Sequence, residues 1–223
     1  MLPSYLEEEN LRLLLPRVIK SLQAVNAEFE ILVVDTPDKL DSTDSVCAEF
    51  NVQYLRRSPT SCFGDAIRTG IANARGRRVA FMDADGSHPP ELLPKLLLHG
   101  GEADVVIASR YCPAGATENN VLLIFLSRLL NWTYSVILGI PCKDVSNSFR
   151  VYDAAQLRGL TLRCKNFDII QEILLKLSRR KRDLKIVEVP FTFKQRMFGK
   201  TKRNLVLFIA TYIFTLIRLR FSR

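Results

Sequence analysis

The chain has 223 residues, 48% of them hydrophobic and 25% charged, with a mean hydropathy of +0.06. No Pro/Gly/Ser-rich linker divides it, so length and balance support one compact domain with an appendage and exclude a disordered chain or a polytopic membrane protein. The net charge of +9 hides a split: residues 1–110 carry 12 Lys/Arg against 16 Asp/Glu, and residues 111–223 carry 20 against 7.

An acidic front half suits metal and nucleotide chemistry, and a basic back half suits an anionic membrane surface or a phosphate-bearing ligand. No module of nucleic-acid binding is visible, so no nucleic-acid partner is expected. Cys47, Cys62, Cys112, Cys142 and Cys164 form no CxxC pair, and His88 and His99 lie far from them in sequence, so neither zinc nor a disulfide framework is supported. The N-terminus shows no basic region followed by an apolar core, which predicts a protein that stays on the cytoplasmic side.

Along the chain, Leu11, Leu14, Leu15, Val18, Ile19, Leu22 and Val25 recur at helical spacing behind Glu7, Glu8 and Glu9, predicting an amphipathic helix with acids at its positive end. A buried strand follows over 30–35, then a strand over 52–56, a helix over 64–74, a strand over 78–82, a helix over 91–99 and a strand over 104–109. This alternation predicts right-handed βαβ crossovers and a mostly parallel sheet with helices on both faces, in which ligands sit beyond the carboxyl ends of the strands. The second half is less regular: an apolar helix over 122–138, a turn over 139–147, a strand over 149–152, a helix over 168–177 and a strand over 185–189. Residues 204–217 are uncharged and are followed by Arg218, Arg220 and Arg223. That stretch is shorter than the roughly 20 residues a bilayer span needs. It reads as an amphipathic, membrane-associated helix lying in the interface, or as a helix capping the core.

The sharpest chemical signal is Val79-Ala-Phe-Met-Asp83-Ala84-Asp85-Gly-Ser-His88-Pro-Pro-Glu91. A strand ending in Asp-x-Asp sets two hard oxygen ligands at a sheet edge, suited to Mg²⁺ or Mn²⁺ bridging a diphosphate. His88, beside Pro89, reads as structural. Arg179-Arg-Lys-Arg182 reads as a solvated helix end or a lipid-facing patch. Gly199-Lys200-Thr201 lacks the preceding glycine and strand of a phosphate loop.

These residues resemble family 2 glycosyltransferases of the GT-A fold, most closely the dolichol- or polyprenol-phosphate mannosyltransferase-like branch. Pro3-Ser-Tyr5-Leu-Glu7-Glu-Glu-Asn10 is similar to that branch's opening, and Ile31-Leu-Val33-Val-Asp35 to its nucleotide-contacting strand end. Ser109-Arg110-Tyr111, Asp144-Val-Ser-Asn-Ser-Phe149-Arg150-Val-Tyr152 and the segment from Val189 to Lys202 follow in the family's order. The likeness covers residues 3–203, the expected catalytic domain, with 204–223 as the tail.

The resemblance implies that Pro3, Tyr5, Glu7, Val33 and Asp35 hold the nucleoside of a nucleotide-diphosphate sugar. Asp83 and Asp85 would hold the metal and diphosphate, with Ala84 against the substrate. Arg110, Arg196 and Lys202 would surround the phosphates, Asp144 joins the substrate-binding set, and Arg150 is a candidate for gripping the acceptor. Asp85, Arg110 and Arg150 are the expected catalytic residues. The implied activity is inverting transfer of a hexosyl group to polyprenyl phosphate at the inner face of a membrane. An acceptor phosphate is already ionised near neutrality, so catalysis reduces to positioning and charge stabilisation without a base. Two alternatives stay open: a saccharide acceptor with Asp144 as base, or an inactive membrane-bound binding subunit.

The chain also departs from the family. Leu6 replaces an Asn, the loop after Asp35 is one residue longer, and only two residues precede Pro3. The first strand is therefore expected to be missing or cut short, leaving an open sheet edge.

Overall fold

The computed structural model describes residues 1–25, 27–195, 197–198 and 205–221. Strands β1 (Leu2–Pro3), β2 (Leu32–Asp35) and β3 (Gln53–Arg56) pair in parallel in the order β1-β2-β3. A second sheet has the order β4-β7-β5-β8, from β4 (Arg78–Phe81), β5 (Val105–Ser109), β7 (Arg150–Asp153) and β8 (Ile186–Pro190). In it β8 is parallel to β5, and β7 runs antiparallel between β4 and β5. The Met1 N–H group donates to Ala80 O (2.8 Å) and the Met82 N–H to Met1 O (3.1 Å), bridging β1 to β4 and joining the two sheets.

That bridge corrects the expected open edge. The first strand is short, but it lies between β2 and β4 with Leu2 opposite Val33 and Pro3 opposite Val34, and its backbone is paired on both sides. Leu2 is buried in the core below.

Alternation along the strands splits the core in two, because successive side chains point to opposite faces. Leu32, Val105 and Ile107 pack with α3 (Phe63–Asn73) and α7 (Ile169–Arg180). Val33, Val106 and Ala108 pack with α1 (Glu8–Gln23), α2 (Thr43–Glu49) and α4 (Leu93–His99). Helix α2 was not anticipated; in its seven residues Val46 and Cys47 face the core, too short a run to show periodicity. Helix α6 (Ala154–Arg158) and the two-residue ladder of β6 (Ala116–Thr117) with β9 (Thr192–Phe193) complete that part of the chain.

Helix α5 (Val121–Leu138) starts where the Asn120 side chain accepts from the Leu123 N–H (2.9 Å) and ends at Gly139, whose φ of +66° is left-handed. Its outward face is apolar: Val121, Leu122, Phe125, Trp132 and Val136 are all exposed. Helix α8 (Leu205–Phe221) packs against α5 and buries Tyr212, Leu216 and Leu219 in the core. Thr215 donates to Asp168 Oδ2 (2.7 Å) and Arg179 to Leu219 O (2.9 Å). The terminal helix thus docks on the domain, while Phe214, Ile217 and Phe221 stay exposed beside Arg218 and Arg220. Arg179 and Arg180 of the basic cluster serve as helix-end donors, Arg180 to Gly159 O.

Candidate active site

Strands β1, β3, β4 and β5 deliver their carboxyl ends to one cavity of about 1020 Å³. Pro3, Ser4, Tyr5, Glu7 and Arg57 line it together with Asp83, Ala84, Asp85 and Arg110. Apolar side chains make up much of the rest of the lining: Phe63, Leu126, Leu130, Phe167, Tyr212 and Leu216. Helix α5 therefore has two roles by face: Leu123, Leu126 and Leu130 look into the cavity, and Phe125 and Trp132 look outward.

The Asp-x-Asp turn is held tightly. Asp85 Oδ1 accepts from the Ser87 N–H (3.0 Å) and hydroxyl (2.6 Å), and Asp83 Oδ1 accepts from the Ser148 hydroxyl (2.8 Å). Gly86 has φ +79°, and a Cβ there would fall 2.5 Å from Met197 Cε, so a side chain would be both strained and crowded. The strand carrying β9 closes over this turn, with the Lys194 N–H donating to Ser87 O and the Met197 N–H to Asp85 O (3.0 Å). Among the described residues no group of three or more His, Cys, Asp or Glu side chains is set to hold a metal. A pair of carboxylates beside open space is the donor set Mg²⁺ accepts when waters and substrate phosphates complete its shell, so the residues fit the group.

Arg110 reaches the cavity wall from the end of β5. Its Nε and Nη2 contact Asp144 Oδ2 (2.8 Å) and Oδ1 (2.7 Å), and Nη2 also donates to Ser146 Oγ (2.8 Å). Burial opposes the charges of both partners, but their mutual attraction outweighs it, holding Asp144 below the usual carboxylate range and raising Arg110.

Four of the expected site residues lie elsewhere. Val33 is fully buried mid-strand and packs in the core. Asp144 does not line the cavity; with both oxygens engaged it acts through Arg110. Arg150 cannot grip an acceptor, because it is fully buried, with Nε on Asn147 O (2.6 Å) and Nη2 on Asp144 O and Val145 O. It binds the 144–147 loop from behind. Asp35 is also buried, outside the cavity-lining set; burial pushes its carboxyl above the usual range, and Oδ1 has no partner among the described residues. Arg196 and Lys202 fall outside the described residues. Pro3, Tyr5, Glu7, Asp83, Ala84, Asp85 and Arg110 do come together.

Arg57 was not anticipated. Buried at the cavity wall, it donates to Ser4 O, Asp35 O (3.1 Å) and Ser61 O (3.2 Å), tying together the ends of β1 and β2 and the loop before α3. Its sequence signal is only a second arginine after a strand. The Ser4 hydroxyl, also unpaired among the described residues, lies beside it on the wall.

Residues 1–159 match the family model described as glycosyl transferase family 2. The chain belongs to glycosyl transferase family 2. It is 34% identical over 218 residues to an undecaprenyl-phosphate mannosyltransferase of Micrococcus luteus, a match covering 92% of this chain and 86% of that one. It is 32% identical over 211 residues to a dolichol-phosphate mannosyltransferase of Pyrococcus furiosus, covering 91% of this chain and 58% of the longer relative. Among solved structures, glucosyl-3-phosphoglycerate synthase from Mycobacterium tuberculosis, crystallised with Mn²⁺, UDP and phosphoglyceric acid, superimposes with a TM-score of 0.72 at 20% identity. That match covers 100% of this chain and 78% of the other, and it establishes the GT-A family fold.

Proposed function

We propose that this family 2 protein moves a hexosyl group from a nucleotide-diphosphate sugar to polyprenyl phosphate, with inversion, at the inner face of a membrane. The observation that carries the reading is one cavity with two characters. The lining by Pro3, Tyr5 and Glu7 suits a nucleoside, the Asp83 and Asp85 carboxylates and the Arg110 guanidinium suit diphosphate chemistry, and the apolar side chains of the same cavity suit a lipid. The names of the mannosyltransferases at 32% and 34% identity support the same donor and acceptor classes.

Asp83 and Asp85 would hold Mg²⁺ or Mn²⁺, which supplies charge neutralisation for the departing diphosphate. Arg110, fixed by Asp144, presents a donor fork at the wall where phosphate charge must be stabilised. The unpaired Ser4 hydroxyl lies in the cavity lining next to Tyr5. Asp144 is bonded on both oxygens and away from the cavity, which removes the base that a saccharide acceptor was expected to use.

Helix α5 supports the membrane placement. It is long and apolar enough to cross a bilayer by length and composition, but its inner face lines the cavity. A position in the interface, with Phe125 and Trp132 in the lipid, satisfies both. It would bring the apolar lining from Leu123, Leu126 and Leu130 to the bilayer surface.

The test is direct. Purified protein, Mn²⁺, labelled GDP-mannose or UDP-glucose and undecaprenyl phosphate should yield a butanol-extractable labelled lipid, with nucleoside diphosphate released only when lipid phosphate is present. No lipid product with any common sugar donor overturns the reading.

A further inference from the structure

His88 is fully buried three residues after Asp85, its ring stacked on Phe149 with centroids 4.9 Å apart and met edge-on by Phe191 and Phe193. Shape alone could be met by an apolar aromatic. Its two nitrogens are nonetheless both engaged. The Asp83 backbone N–H donates to Nδ1 (3.0 Å), so Nδ1 carries no proton. Nε2 then holds the proton and points to Asn147 Oδ1 at 3.2 Å, while Asp83 Oδ2, at 3.9 Å, is beyond hydrogen-bond reach.

The orientation of Asn147 is fixed independently, because its Nδ2 donates to the carbonyl of Ala108, leaving Oδ1 as the acceptor. The Asn147 N–H donates to Asp144 Oδ1 (3.2 Å), the oxygen that Arg110 Nη2 contacts. The next residue, Ser148, returns a hydroxyl bond to Asp83. A circuit therefore runs from the backbone of Asp83 through His88 to Asn147 and closes through its neighbour Ser148 on the Asp83 carboxylate, with a branch from the Asn147 N–H through Asp144 to Arg110.

We propose that His88 is a positioning residue, held as the Nε2–H tautomer, that couples the carboxylate turn to the arginine wall. The function assigned to it rests on the glycosyltransferase reading above. By itself the loop after Asp85 could set the two carboxylates, but only the imidazole gives the Asp83 N–H an acceptor and Asn147 a donor at once. Outer-shell partners of metal ligands commonly contribute about 10- to 100-fold in metal affinity, and His88 occupies that place through a backbone amide.

Two substitutions divide the circuit. His88→Asn puts an oxygen near the Nδ1 position, keeping the acceptor for Asp83 and losing the donor to Asn147. His88→Gln does the reverse. Full-length protein titrated with Mn²⁺ alone, followed by electron paramagnetic resonance, should show Kd raised about tenfold or more in His88→Gln and less than threefold in His88→Asn. In turnover assays His88→Asn should instead lose kcat/KM for the lipid phosphate, through Arg110. A purely structural histidine would shift both variants alike, and equal effects on Mn²⁺ affinity, or none, overturn the proposal.

A measurement on the unmodified protein keeps the test open if the variants fail to fold. In ¹⁵N-histidine spectra His88 should carry its proton on Nε2, and Mg²⁺ with nucleoside diphosphate should shift its Nδ1 resonance. A proton on Nδ1, or no shift at saturation, also overturns it. If the wild-type protein makes no glycolipid while the variants split as described in Mn²⁺ binding, the functional reading fails and the coupling stands.

Discussion

Arg110 and Asp144 meet through two parallel contacts of 2.7 and 2.8 Å, Asp144 fully buried and the Arg110 side chain 11% exposed at the cavity wall. This geometry makes the carboxylate a clamp that sets the direction of the guanidinium. Removing one member of a buried pair strands the other charge at a cost of about 3–5 kcal/mol, so Asp144→Ala should lower unfolding stability by that order. Arg110→Lys keeps the charge but loses the planar fork. It should retain the fold while kcat drops by about 100-fold, the lower edge of the range for loss of one oriented transition-state donor. Urea unfolding and steady-state kinetics on both variants check the division.

Arg150 gives the opposite pattern. Its guanidinium serves the carbonyls of Asp144, Val145 and Asn147 and the Tyr152 hydroxyl. Arg150→Met would leave several buried acceptors unpaired, at about 1–3 kcal/mol each. Stability should fall by about 3 kcal/mol or more, and at a temperature where the variant is folded KM for lipid phosphate should stay near the wild-type value. A large rise in that KM without loss of stability would return Arg150 to the acceptor site.

Asp83→Asn and Asp85→Asn should abolish metal-dependent nucleotide binding. Neither carboxylate belongs to the hydrophobic core, so stability should change by about 1 kcal/mol or less. In the wild type, a nucleoside diphosphate should raise Tm when Mn²⁺ is present and not after chelation, since only a ligand bound to the native state stabilises it. The same thermal shift in Asp85→Asn would argue that the turn does not hold the ion.

What could be read from the sequence divides by the range of the interaction. The βα alternation and the Asp83–Asp85 turn are local patterns, and both stand in the structure with Arg110 beside them. Arg150 and Asp144 sit in one motif, but whether an arginine faces substrate or carbonyls depends on how the 144–148 loop folds back on β7, which spacing does not encode. Arg57 was missed because its partners Ser4 and Asp35 come from other segments. Helix α5 read simply as apolar; its exposure depends on which neighbours cover it.

The outward face of α5 predicts vesicle binding. Phe125 and Trp132 are more than 60% exposed, and burying such a side chain contributes about 1.5–3 kcal/mol. Phe125→Ser with Trp132→Ser should weaken co-sedimentation with anionic vesicles at least tenfold and leave Tm almost unchanged. Undiminished sedimentation would move the lipid contact to another surface.

Acid should act through Asp65, at the start of α3. Burial alone would raise its pKa, but bonds from Thr60, Arg68 and Cys62 prevail and hold it at about 2, against an ordinary value of 3.8. A depressed carboxyl pKa stabilises the fold above the unfolded value, and that contribution is lost as pH falls from about 4 through about 2. A shift of this size corresponds to about 2 kcal/mol. Asp65→Asn should therefore lower stability by about 2 kcal/mol at pH 7 and flatten the dependence of unfolding free energy on pH between 4 and 2. The same carboxylate braces the 60–63 turn, whose Ser61 and Phe63 line the cavity, so KM for the sugar donor should rise as well. Parallel pH profiles for wild type and Asp65→Asn would show that the bonds to Thr60 and Arg68 do not perturb the carboxyl, and the stability change would then need another cause.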